Sequence, residues 1–500
     1  MKNRLMSVML AYVLFASVFF AGISTTATAA PIVQPGTPGS VQMLQEPLDE
    51  IDDVIQQGIA DQYMAGSVFL AARSGTIVKE DAYGYAARYL DDDFTEMENP
   101  VEMQTDTIFD LASITKVFTA TAAMQLYEQG KFNLDDPVAD YIPEFAQNGK
   151  SDVTIRQLLT HTSGFPAWIP LYQTTDSREE AYQEVFATPL DHEPGTHYGY
   201  SDLNMITIGA LVEQISGKRL DEYIKENITE PLGMTDTMFN PPESLKDRMA
   251  ATEYQPQTDR EIVWGEVHDE NAWAMDGVAG HAGLFSTAQD LAVFAQMILN
   301  NGEYQGTRIL KTETVDIMER NELPEFPGSA HSLAWELNQD WYMGDLSGRK
   351  TMGHTGFTGT SIVINPSKET VAILLTNKVH PTREAPSTNP IRQEVAGKTA
   401  AAINAWSAST MKALVEDFAD EEAFSSDAAA HSLKVHLSAV SHYEGQDAAD
   451  KIVKHMEGFK NLLEHQRENM SQDAYKTLKT DADYLINKWG SVPHHINALE

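Results

Sequence analysis

The sequence predicts an α+β fold built in layers. One antiparallel sheet is flanked by helices, a helical domain is inserted beside it, and a small three-helix bundle follows at the C-terminal end. Three observations predict this. Two strand–turn–strand runs, "GSVFLAARSGTIVKEDAYGYA" at residues 66–86 and "TSIVINPSKETVAILLTN" at residues 360–377, stand far apart in the chain. The sequence between them, from about 113 to 337, is mostly helical and loop-rich. After Asn389 the apolar residues recur at spacings of three and four. Hairpins at both ends of a long helical section imply one sheet assembled from both ends and covered by helices.

The elements follow in chain order. Lys2 and Arg4 precede an apolar run over residues 5–23, and Ala27 and Ala29 then form an Ala-x-Ala pattern. This reads as a secretory signal over residues 1–30, making the protein a secreted, extracellular one. The alternative is an uncleaved membrane anchor, since the run is nearly long enough to span a bilayer. Residues 31–45, rich in Pro, Gly and Gln, read as a linker to a domain over 46–400. Leu48, Ile51, Ile55 and Ile59 predict a helix over 48–62. Ser74-Gly75 marks the turn of the first hairpin and Pro366-Ser367 that of the second. A spacer around 417–430 leads into the bundle, a module over about 415–495. Its stripes are Leu433, Leu437 and Val440; then Ile452, Met456 and Phe459; then Leu478, Ala482 and Leu485.

The 500 residues carry a formal charge of −38 and are 42% hydrophobic. Such an acidic surface repels phosphate backbones and argues against nucleic-acid binding. There is no cysteine, which excludes disulfides and a lipid-modified cysteine. Membrane contact is expected only through the signal segment before cleavage. His436, His442, His455 and His465 fall on several helix faces with no paired carboxylates, so neither a metal nor another cofactor is expected.

Three motifs carry the chemistry. In "FDLASITKVF", Ser113 stands three residues before Lys116, where an apolar helical run begins, so the two share a helix face. A serine hydroxyl needs a base to attack, and a desolvated lysine can serve as one. The alternative for Ser113 is a helix cap. Ser347/Lys350 and Ser409/Lys412 repeat the spacing without partner motifs. In "YGYSDLN", Tyr200 ends a Gly-containing loop before a helix, with Asp202 two residues on; the alternative is a partly buried tyrosine at a helix start. In "GHTGFTGTSIVINP", His354, Thr355 and Gly356 open a strand-like run. Small residues there let a substrate approach the strand, and the N–H of Phe357 can join that of Ser113 in facing a developing oxyanion. The alternative is a Gly-rich strand entry with a surface histidine.

In this order the motifs resemble the serine β-lactamase and penicillin-binding protein superfamily, over about residues 45–395. The class C-like branch, which holds esterases, D-aminopeptidases and D,D-carboxypeptidases, is the nearest, and "LLTHTSGFP" and "AGHAGLFSTAQDLAVFAQMILNNG" are typical of it. The resemblance implies a β-lactamase/transpeptidase-like fold, Ser113 as acylated nucleophile, Lys116 and Tyr200 exchanging its proton, and His354 in the place of the usual lysine. Asp202 stands where class C β-lactamases carry asparagine. With His354, it argues against an efficient β-lactamase. "WGEVHDENAWAMDGVAGHAGLFST" and "LNQDWYMG" look like exported amidases that remove the peptide from N-acetylmuramic acid. That likeness places His281 and residues 266–271 along a muropeptide cleft, with Asp202, Thr355 and Gly356 also binding substrate. The other readings are a D,D-carboxypeptidase or β-lactamase, a family VIII-type carboxylesterase, or a non-catalytic wall-binding protein. The C-terminal module resembles the helical FIMAH module of secreted bacterial enzymes, which suggests the cell wall as a partner.

Overall fold

The computed structural model describes residues 30–490 apart from 42, 404–406 and 421, so the expected signal segment lies outside the described residues. Among the described residues no helix is long and apolar enough to cross a membrane.

The sheet contains β1 (Gly66–Arg73), β2 (Thr76–Tyr89), β3 (Glu336–Leu337), β4 (Met352–Thr355), β5 (Ser361–Asn365) and β6 (Thr370–Thr376). Their spatial order is β2-β1-β6-β5-β4-β3, with antiparallel neighbours throughout. The two predicted hairpins meet along β1 and β6, where Val68 faces Leu375 and Leu70 faces Ile373. Ser74 and Gly75 both have positive φ, 48° and 79°, as a tight turn between twisted strands requires. Residues 34–35 pair in parallel with Thr76 and Ile77, and Met43 is buried. The segment expected as a linker is thus laid along the domain.

Strand alternation divides the apolar side chains between two cores. Val68, Leu70, Ile362, Ile373 and Leu375 face the larger one. Phe69, Ala71, Val363 and Leu374 face the other. Helices α1 (Glu46–Ala60) and α5 (Asn389–Ala401) cover the second core through Ile51, Ile55, Ile391 and Val395. The larger core takes α2 (Thr115–Glu128), α3 (Asp202–Ser216) and α4 (Ala288–Leu299), with Phe118 of α2 stacked on Phe294 of α4 at 4.2 Å. Residues 115–126 of α2 are all buried, so α2 is the central helix and not an amphipathic surface one.

The C-terminal bundle has its own apolar core. Its helices are α6 (Ala408–Asp420), α7 (Asp427–Glu444), α8 (Ala449–His465) and α9 (Gln472–Gly490). The sequence reading expected three. The additional helix, α6, buries Met411, Val415 and Phe418, a stripe that acidic neighbours obscure in the sequence. Lys476 of α9 pairs with Asp340 at 2.9 Å, and the Tyr484 hydroxyl donates to the Ile403 carbonyl.

Because the bundle core is separate, a chain ending at Ser407 should fold by itself and turn over a small ester within roughly twofold of the full chain. Thermal unfolding and ester kinetics check this, and loss of either would show that the bundle is integral to the sheet domain.

Candidate active site

Ser113 lies in a single 3-10 turn, Ala112–Ile114, that leads into α2. The turn is shaped from both sides. Ala112 has φ +46°, a left-handed conformation that costs a non-glycine residue roughly 1–2 kcal/mol. The buried Asp110 carboxylate stabilises it by accepting from Ala112 N–H at 2.8 Å and from His268 N–H at 2.7 Å. Burial pushes the Asp110 carboxyl up, and these two donors oppose that. Leu111 N–H donates to the Leu284 carbonyl at 2.9 Å, and Leu284 N–H donates to the Thr115 hydroxyl at 3.1 Å.

Lys116 follows one turn later, with a side chain 0% exposed. Its Nζ donates to Ser113 Oγ at 2.8 Å and to the His281 carbonyl at 3.2 Å, and pairs with Asp202 Oδ1 at 2.8 Å. It also lies 4.9 Å from the centre of the Tyr200 ring. Burial disfavours the ammonium, but the Asp202 and Tyr200 oxygens outweigh it and hold Lys116 above the usual lysine value. Asp202 opens α3, so its carboxylate also meets the positive end of that helix.

Tyr200 stands beside Lys116, and burial pushes its phenol up while the Lys116 charge opposes that. Its ring packs on His161 at 4.7 Å and lies 6.1 Å from His354. His161 Nδ1 accepts from Ser201 N–H at 3.2 Å, so its proton resides on Nε2. His354 does the reverse: Nδ1 donates to the Thr355 carbonyl at 2.8 Å, leaving Nε2 as an acceptor. Burial, then Lys116, pushes His354 down to about 3. Burial alone pushes His331 down to about 3, and it packs against His161 at 5.3 Å. Neutral imidazoles therefore border the ammonium.

His354 and Thr355 close β4, and β5 begins only after a turn, so the motif ends a strand where the sequence reading had it opening one. In that turn Thr358 Oγ1 donates to the Asp110 carbonyl at 2.8 Å and Thr360 Oγ1 to the Leu111 carbonyl at 3.1 Å. The turn is thereby tied to the chain just before Ser113. A Cβ on Gly356 would fall 2.4 Å from the Leu111 oxygen, so glycine is required there. Phe357 projects outward at 56% exposure, with its ring 5.6 Å from that of His268.

His281 contributes its carbonyl to Lys116, while its ring turns to Asp269 at 2.9 Å. Within residues 266–271, Asp269 is therefore the partner of His281. Burial opposes the Asp269 charge, yet His281 and Ala272 N–H hold the carboxyl well below its ordinary range. Asp110, His161 and His331 escaped the sequence reading as site residues, whereas Asp269 lies in the 266–271 segment that it singled out. Of those three only His161 had a signal, its place in the "LLTHTSGFP" segment. The other Ser-x-x-Lys pairs are elsewhere: Lys350 reaches Glu319 at 3.9 Å, and Ser409 is exposed on α6. Among the described residues no group of three His, Asp or Glu is arranged to hold a metal ion.

Comparison with known proteins agrees with this geometry. The Beta-lactamase family matches residues 51–397, and the FIMAH domain matches residues 408–487. A protein of Escherichia coli K12 named "Putative D-alanyl-D-alanine carboxypeptidase" is 34% identical over 411 residues, covering 75% of this chain and 93% of its own length. The N-acetylmuramyl-L-alanine amidase of Bacillus subtilis is 32% identical over 411 residues, covering 76% of this chain and 92% of its own. Among solved structures, a penicillin-binding protein homologue from Caulobacter crescentus superposes with a TM-score of 0.55 at 20% identity, covering 72% of this chain and 98% of its own, a likeness of fold. The chain therefore belongs to the β-lactamase family as a serine hydrolase of the penicillin-binding type, and its C-terminal region matches the FIMAH domain.

Proposed function

We propose that the protein is an exported hydrolase that forms an acyl-enzyme at Ser113 and cleaves the amide between N-acetylmuramic acid and L-alanine in cell-wall muropeptides. The observation that carries the acyl-enzyme reading is the contact chain from Ser113 Oγ through Lys116 Nζ to Asp202 Oδ1, each step 2.8 Å. Ser113 attacks the lactyl carbonyl, and its proton enters the coupled Lys116, Tyr200 and Asp202 set. Because Lys116 rests as an ammonium, it passes a proton on to Asp202 as it takes the one from Ser113. The N–H groups of Ser113 and Phe357 receive the oxyanion. The C–N bond breaks, and the amine leaves with a proton from Tyr200. Water then attacks the ester, and Ser113 regains its proton.

Likeness to the Bacillus subtilis amidase along nearly its whole length supports the amide substrate. A carboxypeptidase reading has a relative of similar identity. The neutral His354 favours the amidase, because a D-alanyl-D-alanine terminus presents a carboxylate that His354 cannot pair with as a cation. Esterase activity on small substrates is compatible with the same site. The leader, the acidic surface and the FIMAH-like bundle support export and a place at the wall.

Incubation with purified muropeptides, read by mass spectrometry, should yield peptide-free muramyl sugar and an intact peptide beginning with L-alanine. Release of D-alanine alone would replace the amidase reading with the carboxypeptidase one. Ser113→Ala should lower turnover by several orders of magnitude with little change in Tm, whereas Ser347→Ala and Ser409→Ala should leave it unaltered. Turnover surviving in Ser113→Ala would reduce Ser113 to a structural turn residue.

His354 supplies a pH test. Its folded pKa is depressed to about 3 from an ordinary 6.5, so it stays neutral as pH falls through 6.5. The profile of kcat/KM should therefore have no acid limb near 6.5 due to His354. His354→Lys should lower turnover about tenfold or more, since it buries a second cation beside Lys116. A limb near 6.5 that vanishes in His354→Gln would contradict the neutral role.

A further inference from the structure

Arg392 of α5 is 7% exposed, and its guanidinium ends on the turn after β4. Nη2 donates to the Gly356 carbonyl and to the Thr360 carbonyl, both at 2.9 Å, and Nη1 donates to Asn389 Oδ1 at 2.8 Å. The Gly356 carbonyl also accepts Gly359 N–H at 3.0 Å, while Gly356 N–H donates to the Thr360 carbonyl at 2.8 Å. The Gly356 carbonyl thus points into the turn, toward Gly359 and Arg392. In a trans peptide the C=O and N–H point in opposite directions. The peptide between Gly356 and Phe357 is trans, because the cis bond among the described residues is His380–Pro381. Phe357 N–H therefore leaves the turn on the face opposite Arg392. The turn carrying it is pinned by the Thr358 and Thr360 hydroxyls to the carbonyls of Asp110 and Leu111, immediately before Ser113.

We propose that Arg392 is a positioning residue for acyl transfer: it fixes and polarises the Gly356–Phe357 peptide so that Phe357 N–H is aimed at the oxyanion formed when Ser113 attacks. This rests on the acyl-enzyme reading above. A cation on the carbonyl of a peptide draws electron density from it and strengthens the N–H on the other side as a donor. The site retains a buried guanidinium for this although Arg392 Nε has no partner among the described residues. Burial pushes Arg392 down to about 10, and Tyr342 and Glu336 support its charge.

The test compares an oxoester with the thionoester of the same acyl group. An oxygen anion depends on hydrogen-bond donors far more than a sulfur anion does. Removing one oxyanion donor outright costs about 10²–10³ in kcat, so misaligning one should cost roughly 10- to 100-fold. Arg392→Met should lower kcat/KM for the oxoester by that factor, mainly through kcat, and for the thionoester by much less. Arg392→Lys keeps the charge without the forked donor and should fall between, which preserves the test if the methionine variant does not fold. Equal losses on both esters, or no loss, in a folded variant would overturn the role of Arg392. Labelling of Ser113 by a fluorophosphonate, located by peptide mass spectrometry, separates the two failures. A labelled Ser113 with equal losses removes only Arg392, whereas an active protein that never labels at Ser113 removes the acyl-enzyme reading itself.

Discussion

A buried ammonium is the constraint around which the site is organised. Lys116 is wholly enclosed, and taking such a charge out of water costs several kcal/mol unless its N–H groups find acceptors and a counter-charge. Three separate segments supply them. Ser113 lies in the 3-10 turn that leads into α2, Asp202 opens α3, and His281 offers a carbonyl from the loop before the strand at Leu284. The three acceptors match the three donors of an ammonium. Satisfying them brings the start of α2, the start of α3 and the His281 loop to one point. Ser113 is thereby placed beside a proton store, which a helix cap would not require. The same charge helps keep His161 and His354 neutral, after burial has already lowered both.

The second support comes from the sheet edge. The turn after β4 is tied to the chain before Ser113 by two threonine hydroxyls, and Gly356 allows the two backbones to touch. Asp110 bridges that chain to the His268–Asp269 loop, and Asp269 in turn fixes the ring of His281. Strain at Ala112 is held by these ties. Ser113, the His281 segment whose carbonyl meets Lys116 and the turn bearing Phe357 are therefore mechanically linked, so a shift of one would be felt by the others.

Much of this was legible in the sequence. The hairpins at residues 66–86 and 360–377 showed the sheet, because alternating apolar runs around turn residues carry that signal locally. Ser113, Lys116, Tyr200 and Asp202 were found by motif, and the structure brings them together; His354 was found likewise and stands beside Tyr200. What stayed hidden depends on long-range contact. Nothing near Asp110 shows that its carboxylate meets His268 N–H, which is 158 residues away. Asp202 was read as a substrate-binding residue lacking the usual amide; its pairing with Lys116 needs the crossing of two helices. His331 lies in an unremarkable stretch, and burial alone makes it part of the cluster. The α6 stripe was obscured by acidic neighbours, and the packing of residues 31–45 needed a sheet edge that composition does not show.

The central claim is that Asp202 holds Lys116 as an ammonium in the resting protein. The nitrogen-15 chemical shift of Lys116 Nζ, followed by NMR from about pH 6 to 10 in the wild type and in Asp202→Asn, tests it most directly. The account predicts an ammonium signal unchanged across that range in the wild type, and a titration moved to lower pH once the carboxylate is gone. A wild-type Nζ that is already a neutral amine near pH 8, or that titrates identically in both proteins, would contradict it.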